Sequence, residues 1–320
     1  EIDQKKSFSL SKQQERLNRY KAIIIAKPNV PFSNVEKFLI DQYIMNGGKI
    51  LWLLDGVSMS MDSLQGNRPY SMALPLDLNL RDQLFKYGVR INSDLVMDMQ
   101  ADKIPVITGY QGDIPQQSLF PWFYNPLLIP NNNHAIVKNL DAIRSSFVST
   151  IDTVKSPGIK KTGILFSSSY TKLVKSPHRV SLNILENEPQ INQYKAGEKT
   201  VAILLEGVFS SIFENRLIPQ SEKITLKTRS KPTKMIVVSD GDIIQNYVSK
   251  NGNPFPLGYN PFSKEQFNGN KKFILNSMNY LLDNNELIEI RSREVKLRLL
   301  NKSKIHKNKL MWQLINIIFP

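Results

Sequence analysis

The sequence predicts a large α/β domain with a doubly wound, mostly parallel sheet. Two continuous apolar runs, 21–26 and 49–54, are typical of short strands that are covered on both faces. Between them, Ser33 and Glu36 form a capping-box pattern that opens an apolar helical face. A strand, a helix and a strand in close succession form a βαβ unit, so we expect these two strands to be parallel with a right-handed crossover.

Further segments extend this alternation. The predicted helices cover 10–17, 79–87 and 271–282, and the predicted strands cover 89–91, 94–98, 147–151, 162–166, 201–205 and 234–239. Five prolines between 104 and 130 predict an irregular, partly buried excursion with some β structure. The mostly polar stretch 167–200 predicts a lobe or a long loop. We therefore expect one domain over 1–290, with a smaller lobe or insertion at about 167–233, followed by a distinct segment over 291–320.

The chain is strongly basic, with 42 Lys and Arg against 28 Asp and Glu and a net charge of +14. Such an excess suits nucleic acid, an anionic membrane surface or an acidic partner. Basic residues concentrate in 223–234 and again in 291–309, where eight Lys or Arg accompany one Glu. Neither stretch has aromatic residues at intervals that would stack on bases, so nucleic acid is not an expected partner.

Several kinds of chemistry lack the residues they need. Cysteine is absent, which excludes disulfides, thiolate metal sites and cysteine nucleophiles. His134, His178 and His306 are far apart, and none has metal-ligand spacing. The Gly-x-Ser-x-Gly elbow, the GxGxxG fingerprint and the Walker A pattern do not occur. Without the last two patterns the chain should not bind ATP in the usual ways. We expect no metal, no cofactor and no enzymatic activity.

The segment 291–320 is typical of a chain that approaches a bilayer. Basic residues lead to a Trp within an apolar run, and these residue types suit lipid phosphates, the interface and hydrocarbon respectively. The apolar run ends too early to cross a bilayer, so we expect a soluble piece that ends in a C-terminal juxtamembrane helix, just outside a transmembrane helix. A basic tail with an ordinary amphipathic helix is the alternative. The predicted membrane-proximal residues are Arg291, Arg293, Lys296, Arg298, Lys302, Lys304, Lys307, Lys309 and Trp312.

Motifs along the whole chain point to one family. Among them are Gly47-Gly-Lys-Ile-Leu-Trp52, Asp94-Leu-Val-Met-Asp98, Leu205-Glu-Gly-Val-Phe-Ser210 and Val238-Ser-Asp-Gly-Asp242. Together they resemble the GldG family of Bacteroidota, which are gliding-motility auxiliary subunits of an ABC transporter system. The resemblance implies a periplasmic domain held in the inner membrane by helices at both ends, which this chain would lack, and partnered with a permease subunit and an ATPase. It also implies a flavodoxin-like or glutamine-amidotransferase-like fold, and it supplies no catalytic residues.

Two sets of residues are candidates for a functional site. Asp55, Ser58, Asp240 and Asp242 follow predicted parallel strands at the ends where open α/β sheets bind ligands, so they could hold a cation or sugar hydroxyls. Ordinary Asp-Gly turns are the plainer interpretation. The second set would form an aromatic contact for a partner or glycan, or else would plug the core beneath a long loop. Its members are Phe120, Trp122, Phe123 and Tyr124.

The function expected from these observations is docking, not chemistry. The domain would be a non-enzymatic periplasmic part of an ABC transporter auxiliary protein required for gliding motility, in contact with the permease, the ATPase and the membrane surface. A module that binds a glycan or peptide is the first alternative. An enzyme related to amidotransferase-like folds is the second, although it would lack the cysteine nucleophile. Self-association of the domain is left open.

Overall fold

The computed structural model describes residues 9–64, 70–217 and 225–283. The α-helices in this part are α1 (Leu10–Asn18), α2 (Asn34–Met45), α3 (Arg81–Tyr87) and α4 (Asn268–Leu282). The strands are β1 (Ala22–Ala26), β2 (Lys49–Leu53), β3 (Val57–Ser58), β4 (Tyr70–Pro75), β5 (Val89–Ile91), β6 (Asp94–Asp98), β7 (Ala101–Gln111), β8 (Ile114–Pro130), β9 (Ile143–Arg144), β10 (Ile151–Thr153), β11 (Ile159–Phe166), β12 (Thr171–Lys175), β13 (His178–Ser181), β14 (Thr200–Gly207), β15 (Thr233–Val238), β16 (Tyr259–Asn260) and β17 (Glu265–Gln266). None of these helices has an apolar stretch long enough to cross a bilayer. The predicted membrane-proximal residues, Arg291 to Trp312, lie outside the described residues.

The main sheet is mixed, with the strand order β1-β2-β15-β14-β11-β8-β7 and with β9 paired to β8. β1 and β15 both run parallel to β2. The remaining neighbours along the sheet are antiparallel. The sheet curls into a half-barrel. The βαβ prediction is confirmed for β1, α2 and β2, but the prediction of a doubly wound, mostly parallel fold of flavodoxin-like or amidotransferase-like type is wrong.

The connections between the strands explain this difference. A parallel pair needs a long crossover, usually a helix, and α2 provides one between β1 and β2. Between β11 and β14 the described chain forms no α-helix but two strands, β12 and β13, and short 3-10 turns. β14 therefore returns antiparallel to β11. The polar stretch predicted as a lobe supplies these small strands, which pair with β6 and β4.

The proline-rich region 104–130 belongs to a long β-hairpin and is not irregular. β7 and β8 pair along their length, from Ala101 opposite Pro126 to Gln111 opposite Ile114. The prolines are tolerated because β8 has a second neighbour only near its C-terminal end, at β9 and β11. A proline on the open side of a strand leaves the ladder on the other side intact.

The central strands are covered on both faces, as their apolar runs predict. On one face Leu51 of β2 packs in a cluster with Phe273 of α4. On the other face Trp52 packs in a cluster with Tyr43 of α2 and Leu84 of α3. β1 differs, because it is the edge strand and is only partly buried. These two helical layers fix the edge of the sheet at which the carboxyl ends of β1, β2 and β15 meet.

Candidate functional site

Three carboxylates meet at the carboxyl-terminal edge of the parallel strands. Asp55 follows β2, and Asp240 and Asp242 follow β15. Because β2 and β15 are paired neighbours, the turns that follow them lie side by side. Carboxylate oxygens of the three residues all lie within 4.8 Å of one another. The structure thus brings together three of the four residues expected at a strand-end site.

The cluster contains its own cation, Lys27, which sequence reasoning missed. Lys27 follows β1, the third parallel strand at this edge, and its backbone N–H donates to the Leu53 carbonyl at 2.9 Å. Its ammonium group donates to Asp242 and forms an ion pair with it. Gly241 permits this approach, since a Cβ there would lie 2.8 Å from the Cβ of Lys27. The position of Lys27 directly after a predicted parallel strand could have indicated this. Residues that follow neighbouring parallel strands lie at the same edge of the sheet.

Backbone N–H groups also donate to two carboxylates of the cluster. Asp55 accepts from the Gly241 N–H at 2.6 Å. Asp240 accepts from the Ser146 N–H at 3.1 Å and from the Asp242 N–H at 2.7 Å. These contacts join the turn after β2, the turn after β15 and the segment after β9. The carboxylates therefore hold three loops together. This structural role agrees with the interpretation of these residues as ordinary Asp-Gly turns.

Burial dominates the electrostatics of the cluster. Desolvation, and then the charge of Asp242, raises the pKa of Asp55 from 3.8 to about 6. Burial together with Asp242 and Asp55 raises the pKa of Asp240 well above its ordinary value, which favours the protonated form. Burial opposes the charge of Lys27, but the attraction of the carboxylates, Asp242 first, raises its pKa overall. A metal ion at this position would have to displace the ammonium group that already neutralises Asp242.

A small polar cavity adjoins the cluster and is bounded by Arg144 and Tyr247. The Arg144 guanidinium donates to the Tyr247 hydroxyl at 2.7 Å and lies 4.8 Å from the centre of that ring. It also forms an ion pair with the fully buried Asp102. The cavity volume is about 160 Å³. Pockets that enclose a small-molecule ligand usually have ~300–1,000 Å³, so this cavity suits a few waters better than a sugar or peptide.

The other predicted site residues lie elsewhere. Ser58 is exposed on β3, opposite Leu74 of β4, and it does not line the cavity beside the cluster. Three of the four aromatic residues lie in the core, at exposures of 5% or less, and only Phe120 is partly exposed. The three buried aromatic residues belong to β8 and pack in one core cluster with residues of β4, β6 and β13. They are Trp122, Phe123 and Tyr124.

Asp55→Asn should stabilise the protein above about pH 6. Because the folded state raises the pKa of Asp55 from 3.8 to about 6, the folded chain holds a proton that the unfolded chain releases between these values. The free energy of unfolding therefore falls as the pH rises through this interval. Asparagine keeps an oxygen for the Gly241 N–H but carries no charge. We expect a gain of roughly 1–3 kcal/mol at about pH 7.5, from ~1.36 kcal/mol per pKa unit.

Urea unfolding below and above this interval checks the expectation. The exposed Asp113, at the hairpin tip, provides the matched control, since Asp113→Asn removes one carboxylate without relieving burial. An Asp55→Asn variant with unchanged or reduced stability on the alkaline side would show that Lys27 fully compensates the Asp55 charge.

The fold and this cluster define a class: a mixed α/β domain in which a lysine of the chain itself pairs with one of three clustered strand-end carboxylates. The family described as an ABC-type uncharacterized transport system matches residues 4–277. The chain belongs to this family, whose members are auxiliary components of ABC-type transport systems. Among curated proteins, none matches the chain significantly.

One solved structure is similar in outline. It is described as the mmIFT52 N-terminal domain, and the match covers 85% of this chain and 81% of that chain. The sequence identity is 15% and the TM-score is 0.41. A likeness at that level supports no statement about function.

Proposed function

We propose that this domain is the non-enzymatic, extracytoplasmic part of a membrane-anchored ABC transporter auxiliary subunit. It acts by docking to the permease subunit and, through it, to the ATPase, and the process served is gliding motility. Two features support docking over chemistry. The strand-end cluster is occupied by its own lysine, and the hairpin presents an apolar surface to solvent.

The observation that carries the proposal is the arm, which we define as residues 104–120 of β7 and β8. Ile107, Tyr110, Ile114 and Leu119 are 50%, 69%, 71% and 42% exposed. Asp113 is the one charged residue of the arm, although the chain as a whole carries 70 charged side chains, 42 basic and 28 acidic. An exposed, nearly uncharged apolar surface of this kind marks an interaction site.

The register places three of the four exposed apolar side chains on one face of the arm, whereas Ile114, which pairs with position 111, lies on the other face. Directly opposite residues of an antiparallel pair share a face. Pro105 pairs with Leu119, Ile107 with position 117, and Tyr110 with position 115. Positions 119, 117 and 115 alternate along β8, so all three pairs lie on the same side of the hairpin. The face formed by Pro105, Ile107, Tyr110 and Leu119 fits an apolar surface of a protein partner.

The base of the arm is firmly fixed. Ile104 is buried, and it packs with Trp122 in the core beneath β8. Asp102, two residues before Ile104, accepts from Arg144 of β9 and from the Asn260 amide at 2.9 and 3.0 Å. A rigidly mounted surface loses little conformational entropy on binding, which favours affinity.

The triple variant Ile107→Ser, Tyr110→Ser and Leu119→Ser should lose the permease. Truncation of central apolar contacts typically costs more than ~1 kcal/mol per hot-spot residue, so we expect recovery in co-purification from membranes to fall by about ten-fold or more. The measurement uses the full-length, membrane-anchored protein and quantifies permease and ATPase together. Loss of both subunits in parallel is expected, because the ATPase is recruited through the permease.

The chain offers a control of identical composition. Ile191, Tyr170 and Leu275 are 63%, 54% and 53% exposed and lie outside the arm. Their replacement by serine should leave recovery unchanged. Equal recovery with the arm variant and the control variant would refute the arm as the docking surface, and recovery of no transporter subunit with the unaltered protein would refute the function itself.

A further inference from the structure

A wide groove among the described residues is not used by the docking proposal. It has a volume of about 970 Å³ and lies between α3, the loop after β5, the end of β12 and the segment 211–216. It shares no residue with the arm or with the cavity beside Lys27. Its volume is at the upper end of the ~300–1,000 Å³ that is usual for ligand pockets.

Most charges in the groove already have partners. Asp94 is buried, and its carboxylate accepts from the backbone N–H and the hydroxyl of Thr150 at 2.8 and 2.7 Å. Thr150 is neutral, so Asp94 keeps its negative charge and lies opposite Lys175 in the pairing of β6 with β12. The other three carboxylates of the groove form ion pairs, which makes that part of the wall locally neutral. The ion pairs that line the groove are Arg90 with Asp152, Lys86 with Glu214 and Arg216 with Asp82.

Two cations in the groove have no carboxylate partner within the described ranges. The Arg81 guanidinium donates to the neutral Ser93 hydroxyl at 3.0 Å, which uses one of its five N–H donors. The exposed Lys175 side chain makes no hydrogen bond or ion pair to any described residue. Ser93 brings the two together, because its carbonyl accepts from the N–H of Ser176, the neighbour of Lys175, at 3.0 Å. The groove therefore presents two positively charged side chains, and the hydrogen bond between Ser93 and Ser176 fixes the backbone beside them.

A small apolar pocket opens beside Arg81. It has a volume of about 40 Å³ and is lined by leucines of the segment that leads into α3, including Leu76, Leu78 and Leu80. It shares Arg81, Arg90, Ile91 and Ser93 with the groove. A ligand that places an anionic group on Arg81 can thus place a methyl-sized group in an apolar site that Arg81 also lines, because one water already occupies ~30 Å³.

We propose that this groove binds an extended acidic peptide segment of a partner protein, with a carboxylate on Arg81 and Lys175 and the methyl end of an aliphatic side chain at the leucine pocket. Arg matches a carboxylate through two parallel N–H···O bonds, whereas Lys acts as a point charge. The proposal goes beyond docking through the arm, because the groove can recognise its ligand without the transporter.

The acidic residues of the groove disfavour a ligand that carries many closely spaced negative charges. Asp82, Asp152 and Glu214 also line the groove, and each lies close to one of its basic residues. A phospholipid surface would bring many phosphates against these carboxylates, which like-charge repulsion opposes. An isolated carboxylate on a peptide meets two cations that have no ion pair, against the single buried carboxylate of Asp94, so it encounters less repulsion than a row of phosphates.

The test is a fluorescence anisotropy titration of the purified chain with a labelled peptide, Leu-Asp-Leu-Asp-Leu with blocked termini. The expected result is salt-sensitive binding that weakens by about ten-fold or more when both Asp are replaced by Asn in the peptide. The double variant Arg81→Gln and Lys175→Gln should lose a similar factor. Both side chains are exposed, so its Tm should stay close to that of the unaltered chain.

A second double variant controls for the high net charge of the chain. Lys271→Gln and Lys272→Gln remove two exposed positive charges on α4, which packs on the opposite face of the sheet from α3 and does not line the groove. An equal loss of peptide binding in both double variants would overturn the proposal in favour of nonspecific attraction. Competition by phosphatidylglycerol vesicles or by inorganic phosphate at the same charge concentration as the peptide would also overturn it. The arm variant should bind the peptide normally, so failure here and failure of the docking proposal are distinguishable.

Discussion

Arg144→Met should destabilise the fold by about 3–5 kcal/mol, because it leaves a buried carboxylate without its counter-ion. The Asp102 side chain is fully buried, and Arg144 is its ion-pair partner. The Asn260 amide also donates to both oxygens of Asp102, but an amide dipole cannot replace a full charge. Methionine keeps most of the apolar volume of arginine, so the expected loss reports the charge and its hydrogen bonds. Urea unfolding of the purified variant gives the measurement.

Arg90→Met is the matched control. Its ion pair with Asp152 is 2.6 Å long but lies at the surface, where such pairs contribute only ~0–1 kcal/mol. Adding Asp102→Asn to Arg144→Met should recover part of the loss, because it removes the uncompensated charge. Similar destabilisation by the two arginine variants, or no recovery in the double variant, would show that Asp102 is not the reason for the effect.

Asp41→Ala should cost roughly 3–4 kcal/mol, because it removes the common acceptor of several buried donors. The Asp41 carboxylate accepts from the hydroxyls of Ser211 at 2.6 Å and Tyr87 at 2.9 Å and from the Ile212 N–H at 3.1 Å. Burial raises the pKa of Asp41 in spite of these bonds, so the carboxylate is present here at an electrostatic cost that the donors offset. Alanine leaves all three donors unsatisfied in the core.

This variant also reports on the groove. Ser211 and Ile212 line the groove, and both donate hydrogen bonds to the buried Asp41 carboxylate. Hydrogen exchange at the Ile212 amide should therefore become faster in Asp41→Ala, in addition to the lower midpoint of urea unfolding. Asp113→Ala, which removes an exposed carboxylate, should change stability by less than ~0.5 kcal/mol. Unchanged exchange at Ile212 would contradict the assigned role of Asp41.

Local signals in the sequence predicted local structure well. The capping box at Ser33 is present with both of its reciprocal hydrogen bonds, and it opens α2 as expected. The apolar runs of β2 and β15 identified strands that are buried on both faces. The direction of pairing was not predictable in this way, because it depends on whether a helix occupies the connection. A polar connection such as 167–200 has no period that distinguishes small strands from a loop.

The candidate site shows the same division. Asp55, Asp240 and Asp242 were placed together because paired parallel strands end at one edge. Arg144 could not have been found from the sequence, since it lies on a two-residue strand that has no apolar pattern. Lys27 could have been found, because it follows β1 at the same edge. The aromatic cluster was ambiguous because a partner surface and a core plug have the same composition.

The position of proline in the outermost strand has a consequence for aggregation. β7 is the last strand of the sheet, and Pro105 lies within it. Proline has no N–H to offer, so it interrupts the row of donors on which a foreign strand would have to assemble. The protein can thus keep an exposed, nearly uncharged apolar arm while resisting the edge-to-edge strand pairing that leads to fibres.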